Sequence, residues 1–89
     1  MPVAALFRLA MLEAGAGAFA AADRLLVAAD RRQPGDAQIL VNRAQIRLAL
    51  DDAAGAIGLL ARLPEKLRAN PAVLRLTAEA ALSCDRLEE

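Results

Sequence analysis

The chain has 89 residues, with 11 basic and 11 acidic side chains and no histidine, tyrosine or tryptophan, a length that fits one small domain or a piece of a larger array. Net charge is zero, no basic cluster exceeds the pair Arg31–Arg32, and the only aromatics are Phe7 and Phe19. The chain therefore lacks both the counterion-displacing stripe and the base-stacking platform of a nucleic-acid binder.

Roughly a quarter of the residues are alanine and leucine comes next, a helix-forming composition suited to close interfaces. Cys84 stands alone, so there is no disulfide framework, and a catalytic thiol would lack a histidine partner; it reads as a small packing residue. Arg8 and Glu13 interrupt the apolar N-terminal run, and no basic segment precedes it, which argues against a signal peptide. No uncharged stretch approaches the ~20 residues of a membrane span. The expectation is a soluble, cytoplasmic chain, with no membrane insertion.

Breakers divide the sequence at Gly15 and Gly17, Pro34-Gly35-Asp36, Asp51-Asp52, Pro64 and Asn70-Pro71. The intervening stretches suit helices better than strands, and none alternates with period two. A first helix over about 3–14 places Val3, Leu6, Phe7, Ala10 and Ala14 on one face, widened by Leu9, Met11 and Leu12 so that cover on two sides is expected. A second, about 18–31, turns Ala18, Ala22, Leu25, Leu26 and Ala29 inward. Asp36 then caps a third helix, about 37–50, with the stripe Leu40, Val41, Ala44 and Leu48.

The segment RLALDDAAGAIGLL follows, residues 47–60. A phosphate loop needs its glycines before a helix, usually after a strand, and a lysine; here a helix and two acids come first. A metal site is no better founded, because the acid pair lacks histidine and calcium-loop spacing. The segment reads as a turn with Asp51 or Asp52 capping a fourth helix, about 53–63, that buries Ala56, Ile57, Leu60 and Leu63. Gly55 and Gly58 then lie inside that helix, where close approach of a neighbour would account for them. After a short turn at 65–69, Pro71 opens a fifth helix, about 71–86, carrying Leu74, Ala78, Ala81 and Leu82. No later helix in this sequence covers its apolar face. Either the chain is part of a longer array, or another chain covers that face.

A shift of 34 residues aligns Leu6, Leu40 and Leu74; Ala10, Ala44 and Ala78; and Ala14, Leu48 and Leu82. It also sets Ala22 on Ala56, Leu25 on Leu59 and Leu26 on Leu60. In period and in these small-residue positions, together with Ala29 and Pro34, the chain resembles the tetratricopeptide (TPR) repeat, a helix–turn–helix unit. Leucines at 6, 40 and 74 stand where that family commonly has tryptophan. The resemblance implies an all-α fold: antiparallel hairpins stacked as a short right-handed solenoid of about five helices, one domain over 1–89 with units 3–34, 37–68 and a half unit 71–88. The competing architecture is an ordinary four- or five-helix bundle.

Such a stack lines a concave surface with the first helix of each pair, a place for a peptide or amphipathic helix of another protein. Beside the packing columns the shift defines three more: Phe7, Val41 and Arg75; Arg8, Asn42 and Leu76; Met11, Gln45 and Glu79. Candidate partner-binding residues are therefore Phe7, Arg8, Met11, Val41, Asn42, Gln45, Arg75 and Glu79. The acids Asp23, Asp30, Asp51, Asp52, Glu79 and Asp85 read mostly as turn or solvated residues, so no catalytic residue, cofactor or metal is assigned. The expected function is a protein–protein interaction module. Alternatives are a small secretion-type bacterial chaperone holding an amphipathic helix of a substrate subunit, a repeat segment of a thioredoxin-like co-chaperone, and a structural homo-oligomer pairing through the fifth helix.

Overall fold

A computed structural model describes the backbone of residues 2–88 and the side chains of residues 2–84. The described residues form six helices and no strand: α1 (Val3–Gly15), α2 (Phe19–Arg32), α3 (Ala37–Ala49), α4 (Ala53–Ala61), α5 (Glu65–Arg68) and α6 (Pro71–Glu88). The one-turn helix α5 occupies the expected turn at 65–69, so the expected fifth helix is α6.

Local chemistry sets each boundary. Gly17 (φ 82°) ends α1 in the left-handed region. There Ala18 N–H donates to the Glu13 carbonyl at 2.8 Å and Gly17 N–H to that of Ala14 at 3.0 Å, the paired bonds of a Schellman stop. Asp51 (φ 65°) repeats this stop after α3, with Asp52 N–H donating to Arg47 at 2.8 Å and Asp51 N–H to Leu48 at 3.1 Å. Between α2 and α3, Pro34 fixes the turn and Gly35 (φ 79°) completes it. Asp36 caps α3 by accepting from Gln38 N–H and Ile39 N–H. Of the two candidate acids at the start of α4, Asp52 is the cap, accepting from Gly55 N–H at 3.0 Å. Asn70 accepts from Ala72 N–H at the start of α6.

Neighbouring helices pack in chain order, α1 on α2, α2 on α3, α3 on α4 and α4 on α6. In the first hairpin Ala10 clusters with Ala22 and Leu26 near the turn, while Leu6 clusters with Ala29 at the far end; α2 therefore runs back along α1. Ile46 joins the first of these clusters and Ile39 the second, so one face of α3 seals the first hairpin. Its other face contributes Leu40 and Ala44 to a third cluster with Ala56, Leu59, Leu60 and Leu63 of the α4 segment and Val73, Leu76 and Ala80 of α6.

The stripe Leu74, Ala78, Ala81 and Leu82 is exposed, in keeping with the lack of a later covering helix, while α6 buries a second face, Val73, Leu76 and Ala80, that the sequence reading did not single out. That second face is the one turned toward α4. Two expectations are corrected here. Leu9 and Leu12 of α1, expected to be covered, are 37% and 70% exposed, because no described helix packs on that side. The glycines of α4 do not admit a neighbouring helix. A Cβ on Gly55 would collide with the capping carboxylate of Asp52, and one on Gly58 would meet nothing within 4 Å.

Candidate functional site

The 34-residue shift places its three side columns on α1, α3 and α6, and the side chains there line four shallow cavities that share walls. The first, about 400 Å³, is lined by Phe7, Arg8, Met11 and Leu12. Phe7 and Arg8 also wall a second, about 300 Å³, which crosses to Asp36, Gln38 and Ile39 at the start of α3. Gln38 continues into a third, about 300 Å³, bounded by Val41 and Asn42 and, across the gap, by Leu67, Asn70, Ala72 and Val73. Ala72 continues into the fourth, about 180 Å³, lined by Gln45, Arg75, Leu76 and Glu79. The result is a row of four separate cavities, each sharing a lining residue with the next.

All eight residues singled out from the sequence border this row. Phe7, Met11 and Val41 are half-buried, with their inner atoms against the hydrophobic clusters. Arg8, Gln45, Arg75 and Glu79 are exposed. Asn42 is half-buried and its Nδ2 donates to the Gln38 carbonyl at 2.8 Å, which fixes the amide and leaves its oxygen outward-facing capacity. Leu76, which shares a column with Arg8 and Asn42, is buried and serves the core. Sequence reasoning missed Gln38, Leu67 and Ala72. Gln38 sits one turn before Asn42 on α3, a spacing that could have marked it; Leu67 comes from the irregular 65–69 segment, where no periodicity points to it.

Of the acids singled out from the sequence, Asp85 has a side chain outside the described residues, and Asp23, Asp30 and Asp52 are engaged by arginines. Contrary to expectation, Asp23 is buried (7% exposed), and it accepts from Arg47 Nη2 at 2.7 Å. Asp30 accepts from Arg43 at 3.3 Å and from Arg62 at 3.2 Å. Arg47 also reaches Asp52 at 3.4 Å. These pairs lie where α2 meets α3 and α4, away from the row of cavities, and commit both carboxylates to arginines. Among the described residues no group of three or more His, Cys, Asp or Glu is placed to hold a metal ion, and no helix is long and apolar enough to cross a membrane. Comparison with family models, curated proteins and solved structures finds no match to this chain.

Proposed function

We propose that this chain is a protein–protein interaction module, a short TPR-like stack of helical hairpins whose α1, α3 and α6 form a groove for a peptide or amphipathic helix of another protein. The supporting observation is the shared lining: residues from three helices up to 72 positions apart (Phe7 to Glu79) border a row of four cavities, each of which shares a lining residue with the next. Its character suits such a ligand. Phe7, Met11, Leu12 and Val41 give an apolar floor at one end, and Gln45, Arg75 and Glu79 give a polar end that fixes register. Nothing in this reading requires catalysis, a cofactor or a metal. The apolar end favours a helix over an extended strand, the chemistry that a chaperone holding an amphipathic helix of a subunit would use.

Site-specific photocrosslinking in the native cell tests this. A benzoylphenylalanine at Arg8, Gln45 or Glu79 is expected to trap one common protein, whereas the same group at the exposed positions Arg24 or Ala54 is not. Cross-links that are absent from the groove positions, or equally frequent at Arg24 and Ala54, would overturn the proposal.

A further inference from the structure

The apolar face of α6 that no described helix covers poses a separate question from the groove. Leu74 is 54% and Leu82 59% exposed, with exposed Ala78 between them. The same columns are closed in both earlier units. Leu6 and Ala10 are sealed by α2 through Ala22, Leu26 and Ala29, and Leu40 and Ala44 by α4 through Ala56, Leu60 and Leu63. The covering helix in each case presents alanine followed four residues later by leucine, Ala22–Leu26 and Ala56–Leu60. Helix α6 carries the same spacing as Ala78–Leu82, as α3 does in Ala44–Leu48.

The stripe is also symmetric. Leu74 and Leu82 each lie four residues from Ala78, so a second α6 turned end for end about Ala78 sets Leu82 beside Leu74 twice and brings the two alanines together at close approach. Charge fits the same arrangement. Arg75 and Glu79 lie on the groove edge of the stripe, as their place in the α3–α6 cavity shows, while Leu74 and Thr77 lie on the α4 edge. End-for-end pairing keeps the groove edges on one side and puts each Arg75 about 3 Å along the axis from the other copy's Glu79, at a rise of about 1.5 Å per residue. A parallel pair would put the two groove edges on opposite sides and form no such ion pair.

We propose that α6 pairs antiparallel with α6 of a second copy, about a two-fold axis at Ala78, closing Leu74 and Leu82 and forming two Arg75–Glu79 ion pairs between chains. A two-fold interface is self-complementary and closes at a dimer. The grooves of both copies then open on the same side. One helix pair buries less than the roughly 1,200 Å² of a tight complex, so the association is expected in the micromolar range.

Sedimentation velocity across about 1 µM to 1 mM of the full chain tests it, with circular dichroism to show that each variant stays folded. The expected result is a monomer–dimer equilibrium. Leu82→Glu, at an exposed position, should raise the dissociation constant by about tenfold or more, since closing the face would bury an unpaired carboxylate. Arg75→Glu and Glu79→Arg should each weaken the dimer, and the double charge swap should restore it. A chain that stays monomeric at the highest concentration overturns the proposal. So does a dimer indifferent to Leu82→Glu but lost on Leu12→Glu, which would place the contact on α1. A double swap no better than either single variant refutes the antiparallel register.

Discussion

Replacing Arg47 by methionine removes one guanidinium that ties three helices together. Its Nη2 donates to Asp23 of α2 at 2.7 Å and its Nη1 to Asp52, the cap of α4, at 3.4 Å. Methionine keeps the apolar stem, so the change isolates the charge. The Asp23 side chain is 10% exposed and that of Arg47 32%, and Asp23 Oδ1 has no hydrogen-bond partner. Removing one member of a fully buried pair costs about 3–5 kcal/mol; with a third of Arg47 open to water, about 2 kcal/mol is the reasoned figure. For a domain of this size that lowers Tm by about 8–16 °C, read by circular dichroism. The shift puts Ile57 at the position of Asp23, so Asp23→Ile places a residue the fold already uses at that site. The double variant Asp23→Ile/Arg47→Met should fall within about 1 kcal/mol of the parent, because an apolar pair can replace a buried ion pair at little cost. Urea unfolding of all four proteins closes the cycle. If the two single losses simply add in the double variant, the pair is not coupled and this reasoning fails.

Gly58→Ala should raise stability by about 1 kcal/mol, since the added Cβ meets open space in a helix interior; a loss in urea unfolding would show that the site is not as open as drawn. Gly55→Ala should destabilise by about 1 kcal/mol or more, because the methyl displaces the Asp52 cap. Asp51→Gly should stabilise by about 0.5–1 kcal/mol by relieving the left-handed backbone at φ 65°, and an unchanged urea midpoint would count against it. Leu26→Ala, at a fully buried site, should cost about 3–5 kcal/mol, enough to abolish the cooperative thermal transition of so small a domain.

The helices were legible because their ends are written in local chemistry. Gly17, Asp51, Asp36, Asp52 and Asn70 act within one turn of where they stand, and a reading of neighbours suffices to find them. The cavity-lining columns were legible for a similar reason: the 34-residue shift selects one edge of each of α1, α3 and α6. Two features needed coordinates. Asp23 reads as a solvated helix carboxylate until Arg47, 24 residues later, is brought across from α3. On α6 the open stripe follows from the lack of a later helix, whereas the second face, Val73, Leu76 and Ala80, is found only once α4 is seen to lie beside it. Burial is set by the neighbour as much as by the pattern.

The columns carry this point further. Ile39, Ile46, Val73 and Ala80 are all buried against the preceding hairpin or its last helix, while Leu12, the counterpart of Ile46 and Ala80 on α1, is 70% exposed. Leu40 and Ala44 are covered from the following helix, while Leu74 and Ala78 are not. The Leu12 column and the Leu74 and Ala78 columns thus change from closed to open at the helix with no described neighbour on that side, and the apolar surface there is of the same kind as the interior. The two closed junctions differ in what specifies them. Between α2 and α3 the ion pairs of Asp23 and Asp30 fix register where the local clusters are small, whereas α4 meets α6 through Leu60, Leu63, Val73 and Leu76 within the largest apolar cluster. The position of α6, and with it the Arg75 and Glu79 end of the proposed groove, therefore rests on apolar packing.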